Sequence, residues 1–133
     1  MALTADRNTP MKDGGEIPVL LAANAVVFAG GIAVANASGY GAPGSTATTL
    51  TYLGRYEESV NNTGGSNGAK TARVRRGKAF KWKNSGADPV TQASLGKACY
   101  IVDDETVAST NGTNTRSAGG IVVGVESDGV WVE

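Results

Sequence analysis

The 133-residue sequence contains no histidine, and aromatic residues make up only 6% of the chain. Histidine is the side chain that most readily exchanges protons near neutral pH, and it is the commonest metal ligand. Its absence removes the histidine-dependent catalytic triads and the common zinc sites. We therefore predict a protein that is not an enzyme and that carries no cofactor and no bound metal, and we look for its function in its surfaces.

Cysteine is also nearly absent, since Cys99 is the single one and has no partner in the chain for a disulfide. It lies in the apolar run 98–102, where a cysteine usually behaves as a small buried hydrophobic residue. A reactive thiol needs a cationic neighbour to lower its pKa, and Lys97 is the only one nearby in sequence. We predict that Cys99 is a core residue.

The chain lacks an excess of charge of either sign, because twelve basic residues balance twelve acidic ones. A protein that binds nucleic acid across its whole face needs a basic excess to neutralise phosphates. The balance argues against nucleic acid as a direct partner.

The sequence has no convincing membrane segment, although residues 17–37 are uncharged and long enough to span a bilayer. Pro18, Asn24 and Gly30 interrupt this stretch, and its flank 13–16 is acidic rather than basic. Residues 1–16 also lack the positive region of a secretory signal. We expect neither membrane association nor export.

Glycine is abundant, with 19 residues, and it divides the chain into short apolar runs that are typical of strands joined by tight turns. The glycine pair Gly30–Gly31 is typical of a tight turn and predicts a hairpin between the second and third strands. Residues 91–97 are long enough for one helical turn. Strands are predicted at 17–22, 25–29, 32–35, 48–56, 72–82, 98–102, 106–107, 121–125 and 130–132.

The strand pattern predicts an all-β fold, because no repeat, heptad or long amphipathic helix occurs. The length fits one small domain. We predict a β-barrel or β-sandwich formed by residues 17–133. Residues 1–16 have no apolar period and contain Pro10 and the pair Gly14–Gly15, so we predict an extended N-terminal arm.

The strongest local signal is basic, since seven of the twelve lysines and arginines fall between Lys70 and Lys83 with no acid among them. Apolar and charged residues alternate within 72–82, which is the period of a strand with one buried face. Gly77 interrupts the alternation and predicts a bulge or bend. The candidate interface residues are Arg73, Arg75, Arg76, Lys78, Lys81 and Lys83.

This basic strand has three interpretations. It is a docking face for an acidic protein surface, a nucleic-acid face with Phe80 and Trp82 as stacking partners, or the solvated face of an edge strand on which cations discourage aggregation. The parity of Phe80 and Trp82 favours the core over stacking. The sequence leaves the docking face and the solvated face open.

The acidic run Asp103–Glu105 offers three oxygen donors in a row. It lacks the spacing and the central glycine of an EF-hand loop. We interpret it as a turn at the end of a strand.

The order of several short segments resembles the capsid cement, or head decoration, proteins of tailed bacteriophages. Each segment is individually weak, and the resemblance lies in their order and spacing over about residues 17–133. These segments are Tyr52–Gly54, Ala72–Trp82, Gly96–Tyr100, Asp104–Val107, Ala118–Gly124 and Gly129–Val132.

The resemblance implies a non-enzymatic structural protein of the virion that binds the outer surface of the capsid and stabilises the shell. It implies the major capsid protein as partner and a homotrimer as the assembly, made in the cytoplasm of the bacterial host. The basic strand and the acidic segments 103–105 and 126–133 would then allow subunits to meet through complementary charges.

Two other classes remain open at this stage. A carbohydrate- or receptor-binding module of a phage fibre would use exposed aromatic platforms, and six residues are available for them: Tyr40, Tyr52, Tyr56, Trp82, Tyr100 and Trp131. A serine hydrolase with a lysine base is the other class. It has no support from a Ser-x-x-Lys or Gly-x-Ser-x-Gly motif, since neither occurs.

Overall fold

The computed structural model describes residues 2–133, in which strands are the main secondary structure. Residues 2–15 contain no helix or strand, and the first strand begins at Glu16. Twelve strands follow in the described residues: β1 (Glu16–Leu20), β2 (Val26–Val27), β3 (Ile32–Ala35), β4 (Gly41–Pro43), β5 (Thr51–Tyr56), β6 (Val60–Asn61), β7 (Thr71–Arg75), β8 (Phe80–Asn84), β9 (Ala98–Ile101), β10 (Thr106–Ala108), β11 (Ala118–Glu126) and β12 (Gly129–Val132).

The second half of the chain forms a closed five-stranded barrel in the order β10-β8-β12-β11-β9. Each barrel strand turns alternate side chains inward, so that Phe80 and Trp82 of β8 meet Val130 and Val132 of β12 inside. Closure pairs every barrel strand on both sides, which leaves no exposed edge in this half. The structure thus decides between the two predicted architectures in favour of a barrel.

The first half forms a five-stranded sheet in the order β1-β7-β5-β3-β4, and a two-stranded sheet of β2 and β6 lies beside it. A parallel bridge between Leu21 and Gly41 brings the two ends of the larger sheet together. The sheet curls around its own core, in which Tyr56 is 1% exposed and donates a hydrogen bond of 2.8 Å to the carbonyl oxygen of Ala42.

The two cores share strands. Ile32 and Val34 of β3 point into the barrel core, while Ala33 points into the core of the first sheet. Trp82 Nε1 of β8 donates a hydrogen bond of 3.1 Å to the hydroxyl oxygen of Tyr52 on β5. Burial raises the pKa of Tyr52 to about 12, so this hydroxyl stays protonated. The two halves therefore form one folded unit.

Strand β5 approaches β7 closely at Gly54, whose φ is +141°. A Cβ atom at this position would overlap the carbonyl oxygen of Arg75. A register shift between Ala33 and Val34 lies opposite, where β3 pairs with β5. Glycine is required here both by the backbone angle and by the contact.

Several local predictions are confirmed. Residues 91–97 contain a short 3₁₀ helix, Gln92–Ser94. Cys99 is fully buried, and burial raises the pKa of its thiol to about 12, so the reactive thiolate is scarce at neutral pH. The inward residues of the basic segment, Ala72, Val74, Phe80 and Trp82, are all buried.

The predicted hairpin between 25–29 and 32–35 is wrong. The chain does turn at Gly30 and Gly31, but β2 pairs with β6, and β3 pairs with β4 and β5. The turn therefore passes the chain from the small sheet to the large one instead of joining neighbours.

Candidate functional site

The six candidate interface residues are divided among β7 (Arg73 and Arg75), the turn 76–79 (Arg76 and Lys78) and β8 (Lys81 and Lys83). Residues 72–82 are not one bulged strand, because the chain leaves the first sheet after β7, turns over residues 76–79 and enters the barrel at β8. Neither strand is an edge strand: β7 lies between β1 and β5, and β8 lies between β10 and β12. The predicted bend at Gly77 is confirmed, but the prediction of one strand over 72–82 and its interpretation as an edge strand are wrong.

The arginines of β7 are paired with acids of the same molecule. Arg73 Nε lies 2.6 Å from Glu58 Oε2, and Arg75 Nη2 lies 2.8 Å from Glu16 Oε2. Hydrogen bonding from Arg73 lowers the pKa of Glu58, which keeps this carboxyl ionised under mildly acidic conditions. Glu57 adds a further carboxylate, 3.6 Å from Arg75 Nε. This part of the basic segment is electrically compensated.

The lysines of β8 are compensated in the same way. Lys81 Nζ lies 2.8 Å from Asp128 Oδ2, and this hydrogen bond raises the pKa of Lys81 and lowers that of Asp128. Lys83 pairs with Glu105. Both pairs are exposed, so each adds little to stability, but each removes a free positive charge from the surface.

Two candidates remain uncompensated. Arg76 and Lys78 stand on the exposed turn 76–79, and neither forms an ion pair within residues 2–133. The left-handed φ of +71° at Gly77 lets the chain reverse between them. Lys70 also forms no ion pair within residues 2–133, but it lies alone at the other end of β7, so two of the three unpaired cations of the basic segment share one turn.

This turn lies against the root of the N-terminal arm. The backbone amide of Arg76 donates a hydrogen bond of 2.8 Å to the carbonyl oxygen of Gly15, one residue before β1. Residues 2–13 are exposed, and within residues 2–133 their only hydrogen bonds join them to one another or to Gly15. The arm and the free cations, which are far apart in sequence, therefore meet.

An exposed apolar residue lies at the same end of the barrel. The turn leads into Phe80, which is opposite Val132 of β12. The next residue, Glu133, exchanges backbone hydrogen bonds of 3.0 and 2.9 Å with Ile121 of β11, whose side chain is 43% exposed. Adjacent strands are about 4.8 Å apart, so Ile121 lies roughly 10 Å from the end of the turn. We call Gly15, the turn 76–79 and Ile121 together the basic end.

The aromatic residues proposed as platforms for a fibre module are not exposed. Tyr56 and Trp82 are buried, and the other four, Tyr40, Tyr52, Tyr100 and Trp131, are half-buried. Trp131 is further engaged, because its Nε1 donates a hydrogen bond of 2.7 Å to Glu126. The most exposed aromatic side chain in the described residues is Phe28, at 60%, and no pattern in the sequence indicated its exposure.

The acidic run forms a turn. Asp103 Oδ1 accepts a hydrogen bond of 2.9 Å from the backbone amide of Glu105, which is a local contact. Within residues 2–133 no group of three or more acidic or cysteine side chains has the geometry to hold a metal ion. The same residues contain no helix that is long and apolar enough to cross a membrane.

Comparisons with protein-family models, with curated proteins and with solved structures give no match for this chain. The arrangement of its own residues must therefore carry the argument for a function. The main new element of that arrangement, which the sequence did not reveal, is the pairing of cations with acids from other strands.

Proposed function

We propose that this chain is a non-enzymatic cement protein that binds the outer surface of a bacteriophage capsid through its basic end and stabilises the shell. The observation that carries the proposal is the meeting of a free arm and an uncompensated basic turn at one end of an all-β domain. The partner is the major capsid protein, and its surface facing Arg76 and Lys78 is acidic. The resemblance in segment order supports the same role.

The basic end has the parts that a protein interface needs. Arg76 and Lys78 supply charges that steer an acidic partner and fix its orientation, and Ile121 supplies apolar area. A stable interface buries about 1,200–2,000 Å² in total, which is more than one small end provides. Residues 2–15, fully extended, reach about 45 Å and would add the missing area along the capsid surface.

The rest of the domain suits dense packing on a shell. The closed barrel presents no free edge, so copies held side by side do not pair strand to strand through this half of the domain. As a homotrimer the protein would bring three basic ends to one site on the lattice. Linked contacts of this kind raise the overall affinity well above that of one contact.

Reversal of both free charges is expected to abolish decoration. We expect Arg76→Glu with Lys78→Glu to weaken binding to bare capsids by more than about a hundredfold, since like charges across an interface cost several kcal/mol. The free energy of unfolding should change by less than about 0.5 kcal/mol, because both residues are exposed and unpaired. Co-sedimentation with capsids measures the first quantity, and a urea titration measures the second.

The control for this experiment is Lys70→Glu, which changes an exposed lysine at the opposite end of β7. It should decorate capsids normally. Reversal of Arg73 and Arg75 would not serve, because the new carboxylates would face Glu16, Glu57 and Glu58 and lower stability as well. Normal decoration by the doubly reversed protein would remove the basic turn from the interface.

Deletion of residues 2–13 is expected to weaken decoration while leaving the fold intact. The deleted residues make no hydrogen bond to the strands, so the melting temperature should stay within about 2 °C of the parent value. A variant with the same residues in scrambled order tests whether the arm acts by sequence or by length alone. Unfolding of the truncated protein would show instead that the arm belongs to the core.

A further inference from the structure

A polar recess lies on the outer wall of the barrel. It has a volume of about 390 Å³ and is formed by the 3₁₀ helix Gln92–Ser94, the outer face of β9 and the residue after β10. Its lining includes the polar side chains of Ser94, Lys97, Tyr100 and Ser109. They come from three chain segments that barrel closure holds in place.

The hydroxyl groups of this recess retain capacity to bind another molecule. Ser94 is only 9% exposed, and its Oγ lies 3.5 Å from Oγ of Ser109, which is its only side-chain partner. A good hydrogen bond between hydroxyls is about 2.7–2.8 Å long. Both serines therefore have donors that are only weakly used, and buried polar groups are normally satisfied.

The charge of the recess is positive. Lys97 forms no ion pair within residues 2–133, and none of the residues that line the recess is acidic. One acidic residue is linked to the recess through the backbone, because the amide of Ser109 donates a hydrogen bond to the carbonyl oxygen of Asp88. Its carboxylate accepts hydrogen bonds from Thr110 and Arg116, at 2.6 and 2.9 Å, so its charge is already compensated.

We propose that this recess binds a phosphate or sulfate group, with Lys97 as its counter-charge and Ser94, Ser109 and Tyr100 as hydroxyl donors. These donors come from three separate chain segments that line one recess, and a tetrahedral anion offers several oxygen atoms to them. Hydrogen bonds to a charged acceptor are shorter and about twice as strong as neutral ones, so the anion would satisfy the two serines better than they satisfy each other. The proposal does not depend on the proposed function.

The test is a titration of the ¹⁵N-labelled protein with inorganic phosphate, sulfate and a hexose phosphate, followed by amide chemical shifts. We expect saturable shifts at Ser94, Lys97, Tyr100 and Ser109 that sodium chloride of equal ionic strength does not reproduce. Tighter binding of the hexose phosphate would indicate a phosphorylated sugar as ligand, and equal binding would indicate the free anion. Shifts that chloride reproduces equally, or no saturable shifts, would overturn the proposal.

Two variants make the test specific. Lys97→Met keeps the length of the side chain and removes its charge, and we expect it to weaken binding by about tenfold or more. Lys70→Met removes a charge outside the recess and should bind as the parent does. Equal affinities of the Lys97→Met variant and the parent would overturn the assignment, and parent-like spectra of both variants away from the substitutions exclude unfolding as the cause.

Discussion

Replacement of Gly54 by alanine is expected to lower the free energy of unfolding by about 4 kcal/mol or more, which is a large part of the total stability of a domain of this size. The added Cβ would overlap the carbonyl oxygen of Arg75, and that oxygen belongs to the backbone of the neighbouring strand β7. The strands cannot separate without breaking the pairs of Arg55 and Tyr56 with β7. The φ of +141° adds strain for any residue other than glycine. Urea unfolding followed by circular dichroism measures the loss.

Substitutions at two other glycines separate the two causes of this stability loss, which are steric overlap and backbone strain. Gly86→Ala introduces a Cβ into open space at an ordinary backbone angle, and its stability should match that of the parent. Gly77→Ala also enters open space but at a φ of +71°, so it should cost only about 1 kcal/mol, from backbone strain. If Gly54→Ala were no worse than Gly77→Ala, the close approach of β5 and β7 would be wrong.

Truncation of Trp82 to alanine is expected to cost about 3–5 kcal/mol. The side chain is 5% exposed and packs 6.0 Å from the ring of Phe80, centroid to centroid, inside the barrel. Its loss leaves a large cavity and also removes the hydrogen bond to Tyr52 that joins the barrel to the first sheet. Because β3 contributes side chains to both cores, the two halves should still unfold in one weakened transition, measured by urea titration at a far-ultraviolet wavelength.

The matched control is Trp131→Ala, because this second tryptophan lies half-buried on the outside of the barrel. It should cost clearly less than Trp82→Ala. Trp82→Phe fills most of the cavity and tests the hydrogen bond, whose loss should cost about 1 kcal/mol. A smaller loss for Trp82→Ala than for Trp131→Ala would contradict the burial of Trp82 in the core.

The sequence predicted well which side of a strand faces inward. The alternation of Ala72, Val74, Phe80 and Trp82 with charged residues is a local property, because side chains alternate along any strand regardless of its partners. The burial of Cys99 followed in the same way from an apolar run. The all-β class could be predicted for this reason, and the single-domain size could be predicted from the length of the chain.

Strand partners were not accessible from the sequence. Val26 and Val27 pair with Asn61 and Val60, more than thirty residues away, and nothing in the local pattern distinguishes this pairing from the expected hairpin. The acids that pair with the candidate interface residues could not be predicted for the same reason. Arg75 has no acid beside it in the chain, yet Glu16 reaches it across β1 and β7 from 59 positions away.

The position of β12 in the barrel affects how the protein can be made. This strand lies between β8 and β11, so the barrel cannot close until the ribosome has passed Val132. At about 5–20 residues per second, β8 waits roughly 2 to 10 seconds for its partner after it is synthesised. During that interval Phe80 and Trp82 have no interior to enter. The nascent chain is therefore most open to aggregation or chaperone binding between completion of β8 and completion of β12.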